Sequence, residues 1–563
     1  MSRHRVFITH IRNFKLHRNL SSRVRKVDEF TLTSYLPFQP VPRVNLFDRI
    51  WADLPLYKDQ VALVSAETKK SYTFVQLQRY IANFGTSLLK KLHLQSNDIV
   101  AIAAPNCPEY PVAAFGAIRA GCVVTLVNPA YKNYELVHQF TITKPKVVVT
   151  FSQAYPTIAK GLQNAKIEAK IIIIDNPTQS IPDGAVRYTE IAENGEADLP
   201  LLEKIEKGHD DLAIIPFSSG TTGLPKGVEI TYKNLLASLD IMTHKDYVLS
   251  DVANVTEQDV VPCVLPFFHI YGLVITLMGH WSVGAKMVTM TGFNPQMFIR
   301  VLSSETVSLL YLVPPLVDFL AKHPLVTKKH LEHLKYIFVG GAPMSKAAAE
   351  AFLLKANPRT KFMQGFAVTE TTCMGLVLPK DGSNKNYDSC GDPALNIEMR
   401  LCDPESGKPV AIGNLGEVCI KSPTVTRGYY KNEQATKESM TSDGFYKSGD
   451  LGVYKPGKGL YIVDRIKDLI KVKGMQVAPA ELEAILRSHP SVSEAAVIGV
   501  PHKTFGEVPK AFVVVKQLTT EEELKDFVAD KVVDYKRLHQ VVIVDAIPKN
   551  ATGKILKKLL RDM

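Results

Sequence analysis

Residues 216–231 read PFSSGTTGLPKGVEIT. Within a dozen positions stand three glycines (Gly220, Gly223, Gly227), four hydroxyls (Ser218, Ser219, Thr221, Thr222) and Lys226. Glycine loses more backbone entropy on folding than any other residue and offers nothing to pack, so neither a helix nor a buried strand favours this composition. Closely approachable backbone N–H groups, hydroxyls and a mobile ammonium suit a polyphosphate. The spacing is not G-x-x-x-x-G-K-[ST]: counted from Gly220, the second glycine position falls on Pro225, and Gly227 follows the lysine. The stretch reads as a phosphate loop of another kind, or as a flexible surface turn.

Outward from this loop, β-branched runs alternate with helical segments. DIVAIAAP (98–105), GCVVTLVNP (121–129), KVVVTF (146–151), KIIIID (170–175) and KYIFVGGAP (335–343) are compact apolar strands separated by helix-length stretches. That pattern predicts an α/β fold of layered, buried sheets. At 563 residues the chain is too long for one core, and its composition, 46% apolar and 22% charged, is that of a packed globular protein. Character changes near residue 465. A helix (PAELEAILRSHP), two strands (EAAVIGV, KAFVVVK) and a helix (TEEELKDFVADKVV) then form an α+β unit of domain size. The expected organisation is a large N-terminal domain over 28–465, a charged hinge at 464–468 and a small C-terminal domain over 466–563.

The formal charge of +11 is concentrated at one end, because residues 1–27 hold eight Lys/Arg and no acid, which leaves +3 for the rest. No nucleic-acid motif stands out. The same segment is Arg-rich, contains Ser, and places Phe7, Ile11 and Phe14 on one helical face. Those are features of a mitochondrial transit peptide, the alternative being a merely basic tail in a cytoplasmic or peroxisomal protein. The C-terminal LLRDM lacks the S-K-L ending. The seven cysteines form no C-x-x-C pair and read as reduced, mostly buried thiols. Residues 260–285 carry no Lys, Arg, Asp or Glu, but two prolines, three glycines and two histidines interrupt them. A strand–loop–helix passage through the core is expected there, not a membrane span.

SSGTTGLPKG resembles the signature loop of the adenylate-forming superfamily, which holds acyl- and aryl-CoA synthetases, luciferase-like enzymes and peptide-synthetase adenylation domains. The other motifs follow in family order: LPFFHIYG (265–272), GGAP (340–343), QGFAVTE (364–370), YKSGD (446–450), VDRIKDLIKVKGMQVAPAELE (463–483) and PKNATGKILK (548–557). The pattern is most similar to the 4-coumarate–CoA ligase-like branch. The resemblance implies an enzyme that uses ATP and Mg²⁺ to convert a carboxylic acid, fatty or aryl-propenoic, into an acyl adenylate. Coenzyme A then takes the acyl group.

It also implies roles. Ser218, Ser219, Gly220, Thr221, Thr222 and Lys226 would hold the β- and γ-phosphates, and Glu370 with Thr221 would hold Mg²⁺. For Glu370 the plain alternative is a carboxylate at a helix N-terminus. Asp450 would accept the ribose hydroxyls, supported by Arg465, whose alternative is an ion pair with Asp464 or Asp468. Ala342, Gln364, Gly365 and Thr369 would line the adenine and α-phosphate. Lys554 would bridge the α-phosphate and the attacking carboxylate. Lys467 would be the hinge about which a mobile C-terminal domain turns, bringing in Lys471, Lys473, Gly474 and Gln476, with Lys473 and Gly474 against CoA. His269 would act beside the reacting carboxylate, and Tyr271, Gly341, Phe366 and Ala367 would shape the acyl pocket. Phe366 and Ala367 replace the family's usual Tyr and Gly, which leans the acid toward an apolar one. Gly292 stands where plant ligases carry a lysine. The rivals are a member without CoA chemistry and a non-catalytic scaffold. The identity of the acid and the oligomeric state are not readable.

Overall fold

The computed structural model describes residues 23–174, 180–218, 225–472, 475–532, 534–549, 553 and 555–563. Of the expected site residues, Ser219, Gly220, Thr221, Thr222, Lys473, Gly474 and Lys554 lie outside the described residues.

The β-branched runs form the strands that their composition predicts. Ile99–Ala103, Val123–Leu126, Val147–Phe151 and Lys170–Ile174 lie parallel in the middle of a seven-stranded sheet, which Leu212–Ile215 extends toward the glycine-rich stretch. Apart from the strand-end residues Lys170, Phe151 and Leu212, they are buried on both faces, as a parallel sheet covered by helices requires. The helix Phe74–Lys90 covers part of this layer. Thr73 and Gln76 cap it reciprocally, which satisfies N-terminal N–H groups that helix geometry leaves open.

A second layer joins two sheets. Val260–Cys263 belongs to a four-stranded sheet and Leu309–Leu312 to a five-stranded one that also holds Tyr336–Val339 and Lys361–Phe366. The Ser308 N–H donates to Val260 O at 3.1 Å across their junction. A third, six-stranded antiparallel sheet ends in Tyr446–Lys455 and Gly459–Arg465. The apolar segment 260–285 is the expected core passage, a strand and a loop leading into Tyr271–Met278. That helix has π geometry, and each of its eight residues is buried. Among the described residues no helix is long and apolar enough to cross a membrane.

Gly459–Arg465 runs into a single 3-10 turn, Ile466–Asp468, and from there into the C-terminal unit. That unit is a five-stranded sheet carrying the helices Pro479–Arg487 and Glu521–Ala529, around an apolar core of its own. The end of the basic segment 1–27 lies within the fold. Residues 1–22 lie outside the described residues, but Val24–Lys26 pairs with Thr31–Ser34 in the antiparallel sheet. Arg23 forms an ion pair with Asp381, and Arg25 donates to Leu36 O at 2.6 Å. The last part of the 1–27 segment is therefore folded protein. Its cations sit where edge-strand pairing and partners hold them, a use that composition alone does not reveal.

Candidate active site

A cavity of about 650 Å³ opens between the first two layers and the third sheet. Its walls unite the separate motifs: Ser218, His269, Gly341, Thr369, Glu370 and Arg465 all face it. Strand ends place them. Ser218 follows Leu212–Ile215, Gly341 follows Tyr336–Val339, and Thr369 and Glu370 follow Lys361–Phe366. Ligand sites in sheets of this kind lie beyond the carboxyl ends of the strands.

Glu370 is buried, in a 3-10 turn of three residues, Thr369–Thr371. One turn has no macrodipole of consequence, so a helix N-terminus does not account for the carboxylate. Its Oε1 accepts from Ser218 Oγ at 2.6 Å and from the Tyr429 hydroxyl at 2.9 Å. Both bonds land on one oxygen, and among the described residues none reaches Oε2. A buried carboxylate held by two donors, with its second oxygen left, fits a hard cation whose other ligands are nucleotide oxygens and water. Among the described residues no group of three acidic, His or Cys side chains could hold a metal by itself. Burial, with the Glu370 charge beside it, pushes the Tyr429 hydroxyl pKa up and keeps it a donor.

Asp450 and Arg465 face each other across the antiparallel pair Tyr446–Lys455 and Gly459–Arg465, and Arg465 Nε meets Asp450 Oδ1 at 2.6 Å. The guanidinium thus pairs with neither Asp464 nor Asp468, although the Arg465 backbone N–H donates to Asp464 Oδ1 at 2.7 Å. Asp464 is occupied otherwise: its Oδ2 accepts from the Ala480 N–H at 2.8 Å across the domain junction. Lys467 sits in the linking turn, where burial lowers its pKa, partly offset by Asp468. A cation in that position loses hydration, and any domain rotation that exposes it would restore it.

The apolar half of the cavity is lined by Tyr271, Phe366 and Ala367 together with Ile275, Met363 and Phe338. Gly341 has φ +82°, a conformation that leaves little choice but glycine. At Gly365 a Cβ would stand 2.7 Å from the Phe338 ring and 2.9 Å from Leu376 O, so packing alone requires that glycine. The Tyr271 N–H donates to His269 Nδ1 at 3.1 Å, which places the proton of a neutral ring on Nε2.

Gln364, Ala342, Lys226, Asp450 and Lys471 are not walls of the cavity. Gln364 points to the opposite face of its strand from Met363 and Gly365 and is buried, with Nε2 3.8 Å from Cys390 Sγ. Alternation along a strand dictates this. Ala342 is exposed beside Gly341 and does not line the cavity. Lys226 also faces elsewhere: its Nζ stands 5.2 Å over the Tyr429 ring, and it lines a separate concavity. Lys471 is exposed, its N–H bonded to Glu507 at 2.9 Å, and it pairs with Gln476 across a hairpin. Lys471 is therefore outside the cleft in this arrangement. Gly553 and Leu556, which flank Lys554, are at the cleft. Leu556 lines it, and a Cβ on Gly553 would lie 3.8 Å from Val313, one of its walls.

Sequence reasoning missed two groups. Tyr429, in the segment RGYYKN, links Lys226 to Glu370 and carries no motif signal. In the cavity wall, His280 Nδ1 meets Ser250 Oγ at 2.7 Å, and its Nε2 meets the Tyr311 hydroxyl at 2.6 Å. His280 and Tyr311 face the cavity. Burial lowers the His280 pKa to about 4, so the ring is neutral at physiological pH.

Comparison with known proteins agrees with this geometry. The AMP-binding enzyme family matches residues 51–430, and the AMP-binding enzyme C-terminal domain matches 481–554. The potato (Solanum tuberosum) protein 4-coumarate–CoA ligase 1 is 35% identical, with 96% of this chain and 98% of the relative covered. ATP-bound MatB from Rhodopseudomonas palustris superposes with a TM-score of 0.81 at 27% identity, covering 92% of this chain and 99% of that one. The o-succinylbenzoate CoA synthetase of Bacillus subtilis, solved with its acyl-adenylate intermediate, gives 0.76 at 25% identity over 94% and 99% of the two chains. The chain belongs to the AMP-binding enzyme family and is an ATP-dependent ligase that joins a carboxylic acid to coenzyme A by way of an acyl adenylate.

Proposed function

We propose that the acid is mostly apolar, of aryl-propenoic or medium-chain fatty type, with a single hydrogen-bonding group at its far end. One observation carries this reading: His280 and Tyr311, linked with Ser250 in one hydrogen-bond chain, stand in the otherwise largely apolar wall of the cavity. A neutral imidazole has one N–H and one lone pair. Both nitrogens are engaged, so the chain has a direction and leaves one function over on Tyr311. Either Tyr311 donates to His280 and its oxygen can accept, or it accepts and its proton can be donated. A hydroxyl on the acid satisfies both cases.

The carboxylate end would lie toward His269, Ser218 and Glu370. An oxygen of the carboxylate attacks the α-phosphorus, the bond from that phosphorus to the bridging oxygen breaks, and pyrophosphate leaves. Little covalent help is needed, and positioning with charge stabilisation supplies most of the acceleration. Glu370 would hold Mg²⁺, which when bound neutralises phosphate charge. Asp450, steadied by Arg465, would hold the ribose. Lys554 would act in this step and Lys471 in thioester formation after rotation about Lys467. The placement of Leu556 and Gly553 supports the adenylating arrangement as the one described here. Residues 1–22 would direct the enzyme to mitochondria, on composition.

ATP–pyrophosphate exchange tests this, with paired acids differing only in a distal hydroxyl: cinnamic against 4-hydroxycinnamic, octanoic against 8-hydroxyoctanoic. The expected result is a preference of about tenfold or more in kcat/KM for one hydroxylated acid, lost in Tyr311→Phe. Equal rates within every pair would refute the anchor. Exchange with no acid at all, by protein that binds ATP, would refute the reading of the site.

A further inference from the structure

A second concavity, of about 490 Å³, opens on the other side of the Pro225–Gly227 segment. Pro225 lines both cavities. The walls of the second include Lys144, Lys226, Lys431, His138 and Asn432, and among the described residues no carboxylate. Neither Lys144 nor Lys431 is ion-paired among the described residues, and both are exposed.

The backbone places these cations against its own preference. Lys144 has φ 49° and Lys431 φ 55°, left-handed positions where glycine or asparagine is the easier choice. Lys144 ends the helix Asn133–Thr143, and the Lys431 ammonium donates to Ile142 O of the same helix end at 3.2 Å while lying 4.7 Å over the Tyr430 ring. His138, from the same helix, meets Pro225 O at 2.8 Å, which ties the concavity to the phosphate loop. Because a carbonyl only accepts, His138 Nε2 carries the hydrogen. Helix-end carbonyls account for cations near this site but not for the absence of acids around it.

A continuous set of contacts reaches this concavity from the cleft. Glu370 accepts from Tyr429, Lys226 stands over the Tyr429 ring, and Lys226 shares the concavity with Lys144 and Lys431. We propose that the second concavity is a diphosphate site that receives the leaving pyrophosphate from Lys226. This rests on the ligase chemistry above, in which the bond between the α-phosphorus and the bridging oxygen breaks and its electron pair departs on pyrophosphate. The diphosphate of coenzyme A has the same chemistry and is the other source.

The test uses the full chain with Lys144→Gly, which removes the cation and relieves the left-handed backbone, and Lys144→Glu, which reverses the charge. Exchange is measured without CoA, and thioester formation with it. The expected result is a KM for pyrophosphate raised about fivefold in the first variant and about twentyfold in the second, weakening as salt is added. The KM values for ATP, acid and CoA should stay within about twofold. A rise in the KM for CoA with pyrophosphate unchanged would overturn the pyrophosphate assignment in favour of the coenzyme. No change in either would overturn the site. If the wild type shows no exchange, the ligase reading fails separately, and calorimetric titration with pyrophosphate decides the site: equal binding by wild type and Lys144→Glu overturns it.

Discussion

Replacing His280 with glutamine removes one buried titration and leaves a side chain that can still reach Tyr311. The imidazole is 3% exposed, and burial lowers its pKa from 6.5 to about 4. The folded protein therefore resists the proton that the unfolded chain accepts. Stability is complete above pH 6.5, falls as pH drops from there toward 4, and changes no further below. At pH 5 about 1.5 of the 2.5 units have been crossed, which at 1.36 kcal/mol per unit is a loss of about 2 kcal/mol. In His280→Gln that loss is absent, so the stability difference between wild type and variant should shrink by about 2 kcal/mol from pH 7 to pH 5. The two tryptophans provide the signal. Trp281 adjoins His280 and is fully buried, and its ring is 5.8 Å from that of Trp51. Urea unfolding followed by their fluorescence at pH 7, 6 and 5 reads the large domain. A difference constant with pH would refute the reasoning, because His280 would then titrate alike in both states and could not be a neutral link to Tyr311.

Glu370→Gln keeps the shape and both donors at Oε1 but removes the charge. The Mg²⁺ concentration for half-maximal exchange should rise about 10- to 100-fold with no loss of thermal stability, and an unchanged requirement would place the cation elsewhere. Lys554→Ala should abolish adenylate formation yet spare thioester formation from supplied acyl adenylate, and Lys471→Ala should do the reverse; equal loss of both steps would contradict a two-position domain. Deleting residues 2–22 should change cellular location and leave turnover intact. Extending the deletion to 27 removes the strand Val24–Lys26 and should lower Tm by a few degrees, about 1 kcal/mol; identical melting of the two truncations would deny that strand a structural role.

Much of the architecture was legible because strands that are buried on both faces must be apolar throughout. KVVVTF and KIIIID could hardly be anything else, and both are parallel strands. Motif order identified the residues that meet at the cavity, yet not their orientation. Gln364 and Gly365 are neighbours in one motif, but the alternation of a strand sends the Gln364 amide to Cys390, away from the cleft. The basic N-terminal segment read as one unit, whereas backbone pairing with Thr31–Ser34 claims its end, since a strand can form wherever a partner edge is available.

The sequence by itself determined the layered α/β body and the small second domain. Those follow from local composition and spacing, which act over a few residues. Only the tertiary structure decided which polar groups stand in the apolar wall of the cavity. Ser250 and His280 are 30 residues apart and His280 and Tyr311 are 31, on elements with no shared motif. Folding brings the short helix Gly279–Trp281, the strand Leu309–Leu312 and the chain around Ser250 together and buries all three side chains, and once buried each polar group must find a partner. The same holds for the second concavity, whose lysines come from a helix end, a loop and the phosphate segment. Charge placed by folding, rather than charge counted along the chain, makes that surface a site.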